Sequence, residues 1–442
     1  MKGIRKNKEG AASFYIVAFS TLVLVIIAAS FAMTVIAEVA RTSNDELSQS
    51  AYDSAMAGVE DAKLAYANYQ RCLSNGATAT VPNGDNTLTC NEIVYIMQHP
   101  DCNMVGRILG RIGEKASGEV QVGDTVTTAS GIVKSETNQA YTCVRINTTL
   151  SDYRSTLTSS NQVRIVRGHF EGGVAAKNIT SVKFSWYSNR SDVPYVYSNS
   201  IVAASSRVAF TSPISSSVAI PPTIELQLIQ TAGTFNISDF DIASGTRTDR
   251  ATAFLVPTNS STLAATTNEY GVGSWNGSKN TISAASLAAT NDHTTTNKPF
   301  AVYCAESSTD EFACSVTLNL PTPIGGDRSN DSFMFVVSLP YGQPDTDFAM
   351  EFYCADGSTC STVTSGGSTV ASSQANVTDA QVSIDSTGRA NDLYRRVETR
   401  FDTLDTSFPF PYYAVQVLNG GITINKQMTV TSEYSNAETM RR

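Results

Sequence analysis

An uncharged stretch of 27 residues near the start of the chain limits the possible folds more than any other feature. Residues 11–37, AASFYIVAFSTLVLVIIAASFAMTVIA, contain no charged residue, no Gly and no Pro. A helix needs about 20 mainly apolar residues to span a bilayer. The basic residues Lys2, Arg5, Lys6 and Lys8 precede the stretch, which favours the cytoplasm for that end. The sequence therefore predicts a single-pass membrane helix whose following chain is extracytoplasmic.

The helical pattern continues past the apolar stretch. No Gly or Pro occurs from 11 to 57, and the first Pro is Pro82. One face carries apolar residues at helical spacing: Leu47, Ala51, Ala55, Val59, Ala62 and Tyr66. The opposite face is expected to carry Asn44, Asp45, Asp53, Glu60, Asp61 and Lys63. We expect one unbroken helix of roughly 90 Å that becomes an amphipathic stalk and ends near Cys72.

Two other interpretations of the apolar stretch stay open. The first is a cleaved secretory signal peptide, since Ser30, Phe31 and Ala32 offer small residues for cleavage. The apolar region of a signal peptide has about 7–15 residues, fewer than are present here. The second is an ordinary single-span anchor that never assembles with other copies. Continuity between the apolar stretch and the stalk favours a helix that stays on the mature protein.

Eight cysteines follow the apolar stretch: Cys72, Cys90, Cys102, Cys143, Cys304, Cys314, Cys354 and Cys360. An even number in an oxidising compartment predicts disulfides. Local pairing favours Cys304 with Cys314 across a hairpin and Cys354 with Cys360 around a tight loop. The first four cysteines allow three connectivities, of which Cys72–Cys90 with Cys102–Cys143 is favoured. Unpaired buried thiols are the alternative, and zinc is disfavoured because no CxxC pair occurs.

The rest of the chain predicts a large, β-rich head, so the fold class is α+β with mostly antiparallel sheet. Residues 73–89 form a turn-rich linker, and 91–98 and 102–112 are short helices or strands. Predicted strands are 140–147, 162–170, 181–187, 223–230, 300–304, 312–318, 332–339, 348–353, 380–385, 394–401 and 413–418. The low-complexity segments 258–298 and 361–377 are expected to be surface loops. Predicted domains are 1–10, 11–71, 72–170 and 171–442.

Composition and motifs disfavour several functional classes. The formal net charge is −9, so overall charge gives no indication of nucleic-acid binding. The sequence has no HExxH, GxSxG or GxxxxGK[ST] motif. Asp239 and Asp241 resemble the start of a calcium loop, but the later ligands are missing. We expect no catalytic residue, metal or cofactor, although a carboxylate-based hydrolase stays open.

The first 19 residues, MKGIRKNKEG followed by AASFYIVAF, resemble a type IV prepilin leader and the start of its helix. The resemblance implies that a prepilin peptidase cleaves between Gly10 and Ala11 on the cytoplasmic side, leaving the apolar helix on the mature protein. Residues 49–62, QSAYDSAMAGVEDA, look like the small-residue stalk of large minor pilins and of K-type pseudopilins of type II secretion.

The chain also departs from the pilin pattern. Pilins typically have Glu at the fifth mature position, which is Tyr15 here, and Phe at the first, which is Ala11 here. The helix-breaking Pro of the family is absent. K-type pseudopilins, which cap the filament tip, also lack the Glu. A charge buried in lipid is tolerated only with a partner, so the resemblance implies a minor or tip subunit.

These features predict a non-catalytic structural subunit of a type IV pilus or a secretion pseudopilus. The expected partners are other pilin subunits through helix 11–71, the prepilin peptidase, the membrane, and a host or partner cell surface contacted by the head. The expected location is the membrane and, after assembly, the cell surface or pilus. A non-polymerising surface adhesin or anchored binding protein is the alternative. Adhesion, motility, DNA uptake and secretion all stay open.

Overall fold

The structure, a computed structural model, describes a defined set of ranges. These are residues 9–75, 79–83, 86–111, 119–122, 125–127, 133–135, 138–158, 160–170, 178–188, 222–230, 250–258, 265, 272–288, 299–304, 310–325, 333–339, 345–355, 360–365 and 368–403.

The chain divides into two compact units. The helix unit comprises Met1–Asn147 and Ser383–Thr399, and the sandwich unit comprises Thr148–Val382 and Arg400–Arg442. The domain limits expected from the sequence stay a prediction.

The named helices and strands follow one another in chain order. The helices are α1 (Glu9–Asn75), α2 (Cys90–Gln98), α3 (Met104–Leu109) and α4 (Ala284–Ala288). The first strands are β1 (Thr80–Asn83), β2 (Asn86–Thr89), β3 (Val120–Gln121), β4 (Thr125–Thr127), β5 (Val133–Ser135), β6 (Gln139–Leu150), β7 (Asp152–Leu157), β8 (Val163–Phe170), β9 (Asn178–Ser188), β10 (Ile224–Gln230) and β11 (Arg250–Thr258). The remaining strands are β12 (Val272–Gly273), β13 (Thr281–Ile282), β14 (Phe300–Tyr303), β15 (Phe312–Gly325), β16 (Phe333–Ser338), β17 (Thr346–Cys354), β18 (Ser361–Ser365), β19 (Ser368–Ser372), β20 (Gln374–Ala375), β21 (Val377–Ala390) and β22 (Leu393–Asp402).

In the helix unit, α1 packs against a sheet with the strand order β22-β21-β6-β3. Two contacts give the direction of β21 relative to β6. Asn391 N–H donates to Asn138 O at 3.3 Å, and Thr142 Oγ1 donates to Thr387 O at 3.3 Å. The residue numbers rise on one strand as they fall on the other, so the two strands are antiparallel. Even-numbered residues of β21 such as Ser386 and Gly388 face α1.

In the sandwich unit, two sheets face each other. One has the order β12-β14-β11-β10-β16-β8, with the start of β21 paired to β8, and the other has β13-β15-β9-β17-β20, with β7 also paired to β17. Antiparallel pairs predominate among the described strands, while β11–β14, β12–β14 and β13–β15 are parallel.

Aromatic side chains join the two sheets of the sandwich unit. Phe352 of β17 lies 5.3 Å from Phe170 of β8 and 5.9 Å from Phe335 of β16, measured between ring centroids. Trp186 is fully buried, and its Nε1–H donates to Pro222 O at 2.9 Å. Burial of each such side chain contributes about 1.5–3 kcal/mol, so alternating apolar residues on both sheets account for a stable sandwich.

The coarse fold class is confirmed: a long apolar helix precedes a β-rich part with mainly antiparallel sheets. The unbroken helix is also confirmed, since α1 runs to Asn75. Each predicted strand from 140–147 to 394–401 overlaps an observed strand, and 91–98 and 102–112 contain helices. The predicted strand 413–418 lies outside the described residues.

Several strand and loop predictions were incomplete or wrong. The segment 73–89 was expected to be a linker, but it contains the paired strands β1 and β2. The short strands β3, β4 and β5 were also not predicted. Strands β7 and β11 were missed because neither has a simple alternation of apolar and polar residues. The segment 361–377 was expected to be loop, but it contains the hairpin β18–β19, with Ser361 opposite Ser372. The segment 258–298 includes β12, β13 and α4. Backbone pairing formed these elements despite Ser- and Thr-rich sequences.

Candidate functional site

Helix α1 has two consecutive parts that differ in solvent exposure. We call residues 15–46 the exposed half and residues 47–75 the packed half. All side chains from 15 to 46 are exposed, including Tyr15 at 71% and Met33 at 73%. By length and composition, α1 is the one helix among the described residues that could cross a membrane. The exposed half therefore presents an apolar surface that no other described part of the chain covers.

Hydroxyl groups within the exposed half bond to the helix itself. Ser20 Oγ donates to Val17 O at 2.9 Å, and Ser30 Oγ donates to Ile26 O at 2.9 Å. Thr34 Oγ1 likewise donates to Ser30 O at 3.0 Å. Polar groups in hydrocarbon must be satisfied internally. These side chains thus meet the requirement for a helix surrounded by lipid or by apolar helices.

The packed half buries a face made mainly of small residues. The buried residues are Ala51, Ser54, Ala55, Gly58, Val59, Ala62, Ala65, Tyr66, Asn68 and Cys72. Their spacing of three and four residues places them on one side of the helix. The predicted apolar face is confirmed at Ala51, Ala55, Val59, Ala62 and Tyr66, while Leu47 is half-buried.

Two glycines allow α1 and the sheet to approach closely. A Cβ atom on Gly388 of β21 would overlap the backbone of Ala51 and Ala55, and one on Gly58 would lie 2.8 Å from Val144 Cγ2. Ser386 Oγ donates to Ala55 O at 2.7 Å. A larger residue at position 388 cannot be accommodated without moving helix or strand backbone.

Asp61 makes the main charged contact between α1 and its surroundings. Tyr141 Oη donates to Asp61 Oδ2 at 2.9 Å, and Arg111 donates to Asp61 Oδ1 at 2.6 Å. The Asp61 side chain is only 13% exposed. The prediction that Asp61 lies on the solvent face was therefore wrong, because it shares the helix face of Gly58 and Ala65.

The environment of Tyr141 alters its acidity. Burial raises the pKa of the Tyr141 phenol far above its ordinary value, and the negative charge of Asp61 raises it further. The nearby Arg111 acts in the opposite direction. Tyr141 thus remains a neutral hydrogen-bond donor to Asp61 at pH values where an exposed tyrosine ionises.

Polar contacts also hold the beginning of the packed half. Arg395 of β22 donates to Ser48 Oγ from Nε at 2.8 Å and from Nη2 at 2.6 Å. Gln139 Nε2 donates to Ser50 Oγ. Packing on the sheet therefore begins within one turn of residue 47, where the exposed half ends.

All eight cysteines are paired: Cys72–Cys90, Cys102–Cys143, Cys304–Cys314 and Cys354–Cys360. These are the four pairs favoured from the sequence. Cys72–Cys90 joins the last turn of α1 to the first residue of α2, with a Cα–Cα distance of 4.9 Å. Cys102–Cys143 joins the segment between α2 and α3 to β6, at 4.2 Å.

A capping box fixes the start of α2 next to the first disulfide. Glu92 N–H donates to Thr89 Oγ1 at 3.4 Å, and Thr89 N–H donates to Glu92 Oε2 at 2.8 Å. The sequence TCNE thus sets both the first turn of α2 and the position of Cys90.

Charged groups in the sandwich unit are paired with one another. Asp152 Oδ1 accepts from Arg400 at 2.9 Å, and its Oδ2 accepts from Arg154 Nε. Burial acts to raise the pKa of Asp152, but the hydrogen bonds from Arg154 and Arg400 outweigh it and lower the pKa overall. Tyr153 Oη donates to Asp402 Oδ1 at 2.9 Å. The hydrogen bonds from Arg154 and Arg400 thus stabilise the ionised form of Asp152.

Other candidate sites from the sequence have mixed outcomes. Gly10 and Ala11 lie within the helical range of α1, whereas Asp239 and Asp241 lie outside the described residues. In the described ranges, no group of three or more His, Cys, Asp or Glu residues could hold a metal ion.

Comparisons with known proteins give no family. No protein-family model, no curated protein and no solved structure matches the chain.

The sequence did not predict which residues contact the packed half of α1. Arg111, Tyr141, Ser386 and Gly388 are distant from the helix in sequence, and they have no motif. The one available signal was the small-residue face of α1 around Gly58, which indicates that another backbone approaches closely. It does not indicate which strand.

Proposed function

We propose that this chain is a membrane-anchored, extracytoplasmic, pilin-like subunit without catalytic activity, in which the exposed half of α1 lies in lipid before assembly and among neighbouring helices afterwards. The observation that carries the proposal is the division of α1. Residues 15–37 of its exposed half carry no charged side chain on any side, while the same helix is packed by its own unit from residue 47 onward.

The exposed half has the length that such a role needs. Its 32 residues extend about 48 Å, and its charge-free part, residues 15–37, spans about 34 Å against a hydrocarbon core of about 30 Å. Soluble proteins rarely leave a continuous apolar surface of this size in water. Lipid or other helices are the natural cover.

The disulfides support an extracytoplasmic location for both units. Disulfides persist in oxidising compartments, and all eight cysteines of this chain are paired. The positive-inside rule gives the same orientation, because the basic residues lie on the other side of the apolar segment: Lys2, Arg5, Lys6 and Lys8.

The pilin family is supported by the residues around the cleavage position. Gly10 ends a basic stretch and precedes an unbroken apolar helix. The packing of the second part of that helix against an antiparallel sheet fits a pilin-like subunit. Tyr15, in place of the usual Glu, is 71% exposed and fits a minor or tip position.

Mass spectrometry of the mature N-terminus tests the proposal. The full chain is produced with and without a prepilin peptidase and isolated from membranes. We expect a start at Ala11 only with the peptidase. Gly10→Val should block cleavage, and Gly3→Val, in the same basic stretch, should not.

Two results would contradict the proposal. A membrane-bound protein that keeps Met1 in the presence of the peptidase supports the non-polymerising single-span anchor. A start beyond Ile36 shows secretion of a soluble protein and removes the helix on which assembly depends.

A further inference from the structure

Two disulfides lie in series between the end of α1 and strand β6. Cys72–Cys90 joins the last turn of α1 to the start of α2, and Cys102–Cys143 joins the chain after α2 to β6. Between the two bridges the chain consists of α2 and the residues up to Cys102. Helix, bridge, α2, bridge and strand therefore form one short covalent path within the helix unit.

The non-covalent contacts along α1 are poorly suited to resist a pull along the helix axis. The buried face is mainly Ala, Ser and Gly, which remove little apolar area from water. Ala51, Ala55 and Gly58 also lack the bulky side chains that would interlock with the sheet. The charged contact of Asp61 with Arg111 is a single point of attachment.

The bridges shorten the chain that a pull could draw out. About 70 residues separate Cys72 from Cys143 in sequence, and an extended chain of that length reaches about 240 Å. The bridges bypass separations of 18 and 41 residues. With both bridges closed, the only chain that can extend between α1 and β6 is the segment from Cys90 to Cys102, which reaches about 40 Å.

We propose that Cys72–Cys90 and Cys102–Cys143 form a mechanical brace that limits how far β6 and its sheet separate from α1 under load. The brace is a property of the helix unit by itself. Its biological use, to keep the sheet attached to a helix held in a membrane or fibre, rests on the proposed function.

The two bridges differ in their accessibility to reductants. Cys72 and Cys90 are 3% and 1% exposed, whereas Cys102 and Cys143 are both half-buried. Thiol–disulfide exchange requires access of a thiolate to a sulfur atom. A mild reductant should therefore open Cys102–Cys143 first and lengthen the path only at that point.

Single-molecule pulling of the full chain in detergent micelles tests the brace, with handles at the start of the packed half of α1 and at the end of the chain. Relative to the oxidised wild type, Cys102→Ala with Cys143→Ala should add about 140 Å of contour length, and Cys72→Ala with Cys90→Ala about 60 Å. Both should add it in the step in which α1 leaves its sheet.

The matched control removes a disulfide in the sandwich unit. Cys354→Ala with Cys360→Ala should add about 20 Å, in a different step, because that bridge closes a separation of 6 residues. If added length from the helix-unit variants appears only in the steps of the sandwich unit, or not at all, the brace is refuted.

Mild reduction of the wild type covers the case in which a variant does not fold. Peptide mapping identifies the molecules in which only Cys102–Cys143 is open, and these should gain about 140 Å. No gain in such molecules refutes the brace. All four cysteines lie beyond residue 71, so a mature protein that begins at Met1, at Ala11 or beyond Ile36 should show the same gain in length. The brace can therefore fail while the proposed function holds, and the reverse.

Discussion

The two halves of α1 share one backbone but have opposite environments. In the exposed half, Val25 is 66% exposed, and in the packed half, Val59 is 1% exposed. Residues 15–37 of the exposed half have no charged residue on any side, whereas the packed half is apolar only on the side that meets the sheet. The difference shows that apolar residues on this helix have two environments: one set is covered by its own unit, and the other is covered by no other described part of the chain.

The same valine-to-aspartate change in each half should produce the largest and most divergent effects. Val59→Asp buries an unpaired carboxylate and should destabilise the helix unit by at least about 4 kcal/mol. Val25→Asp should leave the stability of that unit unchanged and weaken membrane insertion by about 3 kcal/mol. Denaturant unfolding in detergent and membrane fractionation measure the two effects.

Val59→Ala and Val25→Ala are the matched controls, since they shorten the side chain without adding charge. Equal loss of unfolding free energy from both aspartate variants would show that the exposed half is packed in the native protein, and would remove the distinction between the halves.

The close approach at Gly388 gives the next largest effect. Gly388→Val places a side chain against the backbone of Ala51 and Ala55 and should cost about 3 kcal/mol or more. Hydrogen exchange of amides 51–62 should speed up accordingly. Gly277→Ala serves as the control, because a Cβ there meets open space and only its φ of 97° is strained. Unchanged protection in Gly388→Val would mean that α1 does not lie on β21.

The raised pKa of Tyr141, which contacts the packed half of α1, predicts that the helix unit loses stability at alkaline pH. Its pKa is raised in the native state, above the ordinary value of about 10. As the pH rises past 10, the unfolded chain releases this proton while the native state retains it. Stability is therefore full below pH 10 and falls above it by up to about 1.4 kcal/mol per pH unit.

Unfolding free energies measured between pH 9 and pH 12 test this dependence. Tyr141→Phe should reduce the slope above pH 10 by about one proton. A residual slope is expected, since burial also raises the pKa of Tyr153 and of Tyr353. An identical slope in the wild type and Tyr141→Phe would show that this phenol is not shielded by α1.

The exposed side of the packed half should give the smallest effect. Lys63 Nζ lies 2.7 Å from Glu60 Oε1, but the two side chains are 45% and 64% exposed. Water and salt screen such pairs, so Lys63→Ala should change stability by less than about 0.5 kcal/mol. A loss above 1 kcal/mol in denaturant unfolding would indicate that this side of α1 is covered.

Periodicity and spacing were sufficient for the local elements. The absence of Gly and Pro from 11 to 57 predicted one unbroken helix, and the spacing of Ala51, Ala55, Val59 and Ala62 identified its buried face. Alternation identified most strands. Local cysteine spacing favoured the pairs that are observed, because nearby residues such as Cys354 and Cys360 lose the least chain freedom on pairing.

Interactions between distant residues were not predictable in the same way. Asp61 was assigned to solvent because it is charged, yet Tyr141 and Arg111 bind it at the margin of the buried face. The Ser-rich hairpin β18–β19 and the parallel pairs of β14 depend on backbone hydrogen bonds between strands, which leave little trace in side-chain pattern.

The sequence by itself determined the length of α1, its apolar start and its small-residue face, since these depend on residues a few positions apart. Only the tertiary structure decided that sheet contact begins near residue 47, that β21 supplies Gly388, and that two disulfides join α1 to β6 through α2. The physical reason is that helix formation is governed by local periodicity, whereas close packing depends on which distant backbone fits the available space.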